Sequence, residues 1–129
     1  MRIKIESVID DGTEQQYFNQ EESGSITQEG DSVRLVYGDK PTTQLIIASP
    51  DKACMFKSGS EAAKMEFIKG ERTASVYQTE YFPVEVQLYT SKISCDLNES
   101  GGTIRLHYSI FFDAETAHNV KLKITMEAK

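Results

Sequence analysis

The sequence has few cysteines, no long apolar run and no excess of positive charge, and each of these absences excludes a class of protein. Cys54 and Cys95 lie far apart and in no ligand motif, so we expect reduced thiols with packing roles rather than a disulfide or a metal pair. No run approaches the roughly 18 apolar residues of a membrane helix. The first residues contain no apolar core of a secretory signal. These features predict a cytoplasmic protein without a membrane span.

The charge balance is acidic, with a formal net charge of −6. General nucleic-acid binding needs a broad positive surface that displaces counterions from phosphates, so this activity is not indicated, although a local basic patch is compatible with the balance. Hydrophobic residues make up 39% and charged residues 26% of the chain, which is typical of a globular protein. The length of 129 residues favours one domain spanning residues 1–129.

Motifs that carry chemistry are also missing. No glycine-rich phosphate loop follows a strand, and the sequence contains no His-Glu-x-x-His, Cys-x-x-Cys or Gly-x-Ser-x-Gly. We therefore predict no catalytic residue, no metal and no cofactor. His107 has the outward parity of its strand and is interpreted as a solvated imidazole. His118, beside Asn119, is interpreted as part of a hydrogen-bonded turn. Catalysis by either would need a nucleophile and a partner base converging on it.

The clearest positive signal is alternation over the last thirty residues. Apolar and polar side chains alternate from Thr103 to Phe112, and again from Val120 to Glu127 after the turn at 113–117. A period of two places one face of each strand in the core and the other in water. The region is predicted to form one long antiparallel hairpin.

Turn signals punctuate the rest of the chain at short, regular intervals, which is typical of an all-β sandwich or barrel. Strands are predicted over 2–9, 14–28, 32–37, 42–48, 52–57, 61–68, 73–80 and 84–90. The segment 61–68 is rich in helix formers, but it alternates and is too short for a helix between two glycine turns. Tyr89 and Ile93 share parity, so a bulge is predicted near Thr90 to Lys92.

Strong strand patterns at both ends of the sequence bear on how the sheet closes. An open sheet of this many strands exposes two edges on which other chains can pair, and closure removes both. We therefore predict an all-β, antiparallel meander barrel of about 8–10 strands, in which the first strand pairs with the last.

A series of short motifs resembles the YwiB-like family of uncharacterised bacterial proteins. The motifs occur in order over nearly the whole chain: Met55-Phe-Lys-Ser-Gly59, Met65-Glu-Phe67, Tyr77-Gln-Thr79, Thr90 with Ile93, Gly102-Thr-Ile104 with Tyr108, and His118-Asn119. The resemblance implies a calycin-type, lipocalin-like barrel from a Firmicute-type bacterium, with no established function and no catalytic residues. Two positions depart from the family pattern: Lys57 replaces an arginine, and Phe82-Pro83 replaces a glycine.

The barrel interior is the first candidate site. Inward parity is predicted for Ile104, Tyr108, Phe112, Leu122, Met126, Val86 and Leu88. Thr90 shares this parity with Tyr108, and Tyr77 joins them as a third hydroxyl. Buried hydroxyls need partners, so these three either line a pocket for a small apolar or amphipathic molecule or bond one another in a filled core.

The outer surface is the second candidate site. If the first and last strands pair, the outward residues Arg2, Lys4, Arg105, His107, Lys121 and Lys123 share one face, which includes five of the fourteen basic residues. This basic face is predicted to dock an acidic protein, with a nucleic-acid backbone as the less favoured partner. The alternative is a solvated face balanced by Glu6 and Glu127. The sequence does not specify an oligomeric state.

Overall fold

The computed structural model describes residues 1–38, 42–58, 63–78, 83–98, 101–111 and 117–127. Within these ranges the chain forms ten strands: β1 (Arg2–Asp10), β2 (Gln15–Glu29), β3 (Ser32–Tyr37), β4 (Thr43–Ser49), β5 (Lys52–Lys57), β6 (Ala63–Ile68), β7 (Arg72–Gln78), β8 (Pro83–Asn98), β9 (Gly101–Phe111) and β10 (Ala117–Glu127). Each strand pairs with the next, and β1 pairs with β10, so the sheet is a closed barrel. The predicted meander barrel is confirmed. The described residues include no helix with the length and hydropathy needed to cross a membrane.

The two terminal strands close the barrel with an antiparallel ladder. Ile5 faces Ile124, and Lys4 faces Thr125. Burial alternates along β10, where apolar residues are buried and the lysines between them are exposed. The predicted hairpin of β9 and β10 is confirmed, and its register places Leu106 opposite Leu122.

Two less obvious predictions of local structure are also confirmed. The helix-forming segment is strand β6, and the β8–β9 ladder shifts register between Thr90 and Lys92. The bulge explains one error, because the predicted strand 84–90 is too short. Beyond the bulge the strand continues with Ile93 in the interior, and β8 reaches Asn98. Phe82 and Phe112 lie outside the described residues.

The middle of the barrel is filled by its own side chains. The largest fully buried ones are Phe67, Ile3, Leu35, Leu45, Leu88, Ile104, Leu106, Ile124, Met126, Val86 and Thr90. The rings of Phe67 and Tyr108 meet with centroids 4.8 Å apart and planes tilted by 59°. Full burial of one such apolar side chain contributes roughly 1.5–3 kcal/mol, so this layer holds the strands together.

Strand β2 changes partner at Gly24. Its first part pairs with β1, and from Gly24 onward it pairs with β3. A Cβ atom on Gly24 would lie 2.4 Å from the carbonyl oxygen of Val36. Glycine therefore allows the close backbone approach where β2 passes from β1 to the body of the barrel.

The β1–β2 turn is organised by one carboxylate. Asp11 Oδ1 accepts hydrogen bonds from the backbone N–H of Thr13 at 2.9 Å, the Thr13 hydroxyl at 2.8 Å and the backbone N–H of Glu14 at 2.9 Å. The backbone bonds from Glu14 and Thr13 are the main reason that the pKa of Asp11 falls to about 2. Gly12 supplies a positive φ of 96° in the same turn.

Candidate functional site

A cavity of about 470 Å³ lies at the end of the barrel where β3, β5 and β9 finish and where β4 and β10 begin. Its floor is apolar and is formed by Ile5, Met55, Met65, Ile110, Val120 and Leu122. Polar side chains from β1 to β5 also line it, namely Ser7, Gln20, Glu22, Tyr37, Thr43 and Lys57. The lining therefore consists of buried apolar side chains, called the floor, and of polar side chains, called the rim, which range from buried (Tyr37 and Thr43) to exposed (Gln20 and Lys57).

Tyr37 and Thr43 are the two buried polar residues of this rim. Tyr37 is 7% exposed, and Thr43 beside it is 6% exposed. Burial raises the pKa of Tyr37, a hydrogen bond with Thr43 opposes that rise, and the nearby charge of Glu22 adds to it. The Gln20 amide donates a hydrogen bond of 2.5 Å to Glu22. The rim thus combines a neutral phenol, a carboxylate and, in Lys57, an ammonium group.

The three interior residues predicted from the sequence have different locations. Tyr108 lines the cavity. Thr90 is opposite Tyr108 in the β8–β9 ladder, but it is fully buried in the packed layer, and its hydroxyl has no hydrogen-bond partner among the described residues. The backbone of Tyr77 belongs to β7, whereas its side chain lies outside the described part of the structure. The middle of the barrel is filled, and the cavity is confined to one end.

Sequence reasoning missed most of the polar rim. Tyr37 could have been found, because Val33, Leu35 and Tyr37 alternate in one short strand and all three are buried. Glu22 and Lys57 carried no comparable signal, since charged residues on strands usually face water. Their place at the cavity depends on which strand ends come together.

A second cavity, of about 560 Å³, lies at the opposite end of the barrel. It is lined by Gln28, Asp31, Val33, Ile47, Ser49, Pro50, Ile93, Cys95 and Asp96. Although larger, it is more open and contains none of the predicted interior residues. Cys54 and Cys95 are both free thiols, Cys54 half-buried and Cys95 exposed, so the predicted packing role does not hold for Cys95.

The predicted basic face divides into two parts. Arg2 lies opposite Glu127, and the Lys4 ammonium is 3.8 Å from Glu6, so these two cations lie next to acids. The other four, joined by Lys92, form a basic cluster on the outside of β8, β9 and β10, which consists of Lys92, Arg105, His107, Lys121 and Lys123. Of these, Lys123 also lies opposite Glu6 of β1. In this cluster Lys121 and Lys92 lie on either side of His107, and Lys123 lies opposite Arg105.

The electrostatics of His107 reflect these neighbours. Its partial burial lowers its pKa first, and the charges of Lys92, Lys121 and Arg105 lower it further. Lys92 was absent from the sequence prediction because the bulge turns it outward beside His107. His118 is half-buried and is the second residue of β10, opposite Ile110. The described residues contain no group of three or more histidines, cysteines or carboxylates placed to hold a metal ion.

The fold is that of a closed antiparallel β-barrel whose strands follow in sequence order. A family model described as Domain of unknown function (DUF1934) matches residues 3–124, and the chain belongs to this family. It is 23% identical over 129 residues to the uncharacterized beta-barrel protein YwiB of Bacillus subtilis (strain 168), across 97% of this chain and 91% of that protein. The resemblance inferred from the motifs is therefore confirmed.

A solved structure shows the same fold. The crystal structure of ywiB protein from Bacillus subtilis superimposes with a TM-score of 0.79 at 22% identity, and the match covers 98% of this chain and 91% of that one. The closed meander is consistent with the calycin-type barrel that the resemblance implied. The family and the fold are therefore established, and the geometry of the sites is the basis for inferring the function.

Proposed function

We propose that this barrel binds a small amphipathic molecule in the cavity beside Tyr37 and Tyr108, without converting it chemically. The observation that carries the proposal is the division of the lining into an apolar floor and a polar rim. A volume of about 470 Å³ lies within the usual range for small-molecule sites, which are largely apolar with a few polar groups that fix orientation.

The lining indicates how such a molecule would be oriented. Its apolar part would lie on the floor around Met55 and Val120, where water is displaced from apolar surface. Its polar head would remain at the rim, within reach of Tyr37, Glu22 and Lys57. The rim offers donors and acceptors of both charge signs, so it suits a head group that hydrogen-bonds rather than a plain hydrocarbon.

Native mass spectrometry of protein purified from its own host tests the proposal, because a binder of this kind should carry a co-purifying ligand. A second test uses a fluorescent anilinonaphthalene sulfonate as an amphipathic probe. Ser7 lines the cavity, so Ser7→Trp should fill the space and weaken probe binding at least about tenfold. Ser25→Trp places the same side chain at an exposed position of β2 and should leave probe binding unchanged.

Two results would contradict the binding proposal. One is a host-purified protein that carries no ligand together with a wild-type protein that does not bind the probe. The other is equal probe affinity in Ser7→Trp and wild type, with both shown to be folded by circular dichroism. Either result would mean that the cavity is not a binding site.

A second candidate function rests on the basic cluster. Like charges directly opposite each other on a sheet are destabilising, yet Lys123 faces Arg105 on β9, while Glu6 of β1 lies opposite Lys123 on its other side. An anionic partner would relieve this repulsion. The net charge of −6 disfavours a nucleic-acid backbone, so the partner proposed is an acidic protein surface.

Charge reversal within the cluster tests this second function. Lys121→Glu combined with Lys123→Glu should remove partners from a pull-down. The double variant Lys52→Glu and Lys69→Glu has the same net charge, alters exposed residues elsewhere and should retain them. An unchanged set of partners in the cluster variant would eliminate the idea.

A further inference from the structure

Several strands of the barrel extend beyond one of their two neighbours, and the first half of β2 is such a stretch. Strand β2 begins at Gln15, but its ladder with β3 begins only at Gly24. Over residues 15–22 its described partner is β1 alone. Among the described residues, this part of β2 is therefore an edge of the sheet on its β3 side.

The direction of the backbone groups at this edge follows from two hydrogen bonds. The N–H of Gly24 donates to the Met1 carbonyl on the β1 side, whereas the Ser23 carbonyl accepts from the N–H of Gly38 on the β3 side. Backbone groups alternate along an antiparallel strand. Tyr17, Asn19 and Glu21, which share the parity of Ser23, therefore direct their N–H and C=O groups toward the free edge.

The side chains of this edge are not those of a protected edge. Residues 15–20 read Gln-Gln-Tyr-Phe-Asn-Gln and carry no charge. Tyr17 is 69% exposed and Phe18 is 49% exposed. Natural edge strands usually carry lysines, prolines or bulges that prevent further pairing, and an uncharged aromatic segment with unpaired backbone groups favours it.

The charges that flank the segment indicate what can pair with it. Glu14 precedes it, and Glu21 and Glu22 follow it. If two copies paired antiparallel about Phe18, Glu14 of each would lie opposite Glu22 of the other, and such like-charge pairs are unfavourable. A strand with basic residues at its ends would have the opposite, favourable interaction.

We propose that the edge of β2 over residues 15–22 binds an extended peptide segment of another protein, with basic residues flanking an uncharged centre, by adding it to the sheet as a strand. Backbone hydrogen bonds to Tyr17, Asn19 and Glu21 hold the peptide, and the flanking carboxylates select its ends. The segment contributes Gln20 and Glu22 to the rim of the cavity but nothing to its floor, and the backbone groups of Tyr17, Asn19 and Glu21 play no part in the small-molecule proposal.

A synthetic peptide of alternating valine and threonine, with two lysines at each end, tests this inference on the full chain labelled with ¹⁵N. Peptide binding should slow the amide exchange of Tyr17, Asn19 and Glu21, whose N–H groups face the edge, more than that of their neighbours. A peptide with glutamates in place of the lysines should bind about tenfold more weakly or worse.

A proline variant separates strand addition from other binding modes. Asn19→Pro removes an N–H that faces the edge and leaves the β1 ladder intact, and it should lower affinity for the lysine peptide about tenfold or more. Asn19→Ala keeps the N–H and should bind as the wild type does.

Three outcomes would overturn the inference. They are failure of the lysine peptide to bind the wild-type chain, equal affinity for the lysine and glutamate peptides, and binding without slowed exchange at Tyr17, Asn19 and Glu21. The exchange measurement decides the question even if Asn19→Pro does not fold. A dimer in the absence of peptide, dissociated by Asn19→Pro, would instead assign the edge to a second copy of this chain.

Discussion

The two hairpins on either side of the barrel closure, β9–β10 and β1–β2, differ in what surrounds them. Both strands of β9–β10 have a neighbour on each side, and burial alternates strictly along β10 from Val120 to Met126. In β2, residues 15–21 are exposed on both faces. Alternation in sequence therefore records burial against a core, whereas a strand can also form without burial when a partner and a turn position its backbone.

The largest difference between the hairpins should be in the response to truncation. Leu106 of β9 is 0% exposed, so Leu106→Ala should lower the free energy of unfolding by about 2–5 kcal/mol. Phe18→Ala removes a larger side chain from the exposed part of β2 and should cost less than about 1 kcal/mol. Urea unfolding of both variants measures these losses in the free energy of unfolding. Equal losses would contradict the difference between the two hairpins.

The boundary between the two kinds of environment lies at Gly24. Gly24→Ala brings a Cβ against the Val36 carbonyl and should lower the free energy of unfolding by about 1–3 kcal/mol. Ser25→Ala, one residue further along the same strand, should change it by less than about 0.5 kcal/mol. Urea unfolding measures both changes. If Gly24→Ala leaves the free energy of unfolding unchanged, the backbones of β2 and β3 do not approach closely at Gly24.

At the tip of the β1–β2 hairpin the expected effect is smaller and depends on pH. The pKa of Asp11 is lowered from 3.8 to about 2, so its carboxylate stabilises the folded state above pH 3.8, and this contribution is lost as the pH falls toward 2. At neutral pH, Asp11→Ala should have a lower Tm than the wild type. In acid, the difference in Tm between the two proteins should become smaller. Asp51→Ala, at another exposed turn, should show no such narrowing. A difference in Tm between Asp11→Ala and wild type that does not change with pH would contradict stabilisation of the turn by the Asp11 carboxylate.

The smallest effect is expected on the outside of β9–β10. The pKa of His107 is lowered from 6.5 by partial burial and then by Lys92, Lys121 and Arg105. The folded state therefore binds its proton less readily than the unfolded state, and stability should decline slightly as the pH falls below 6.5. Lys121→Glu should raise the pKa of His107, measured by NMR titration of the imidazole, whereas Lys52→Glu should not.

Sequence predicted the fold more fully than the sites. Polar residues alternate with Ile104 and Leu106 in β9 and with Val120 and Leu122 in β10. In β8, a break in the same kind of alternation near Thr90 located the bulge correctly. These signals are local, because each depends on the faces of one strand. The cavity rim depends instead on which strand ends meet, so nothing near Glu22 or Lys57 could indicate that they face the same space.

The outer surface shows the same limit. Strand pairing was enough to bring Arg105 and His107 together with Lys121 and Lys123, but the prediction omitted Lys92 because it treated β8 as finished before the bulge. Glu127 and Glu6 lie next to Arg2 and Lys4 in the structure, and these are the two carboxylates named in the alternative of a solvated, balanced face. The pairing of β8, β9 and β10 and the bulge in β8 together bring these basic side chains to one place. The sequence indicated the pairing and the bulge separately.

The ladder between β1 and β10 has a consequence for how the protein acquires its structure during synthesis. Ile3 and Ile5 leave the ribosome long before their partners Met126 and Ile124. One side of β1 therefore stays unpaired until β10 has been translated, and closing the barrel is a late event that joins regions remote along the polypeptide. Folding through such remote contacts is slow, and an unpaired strand can meanwhile pair with other chains.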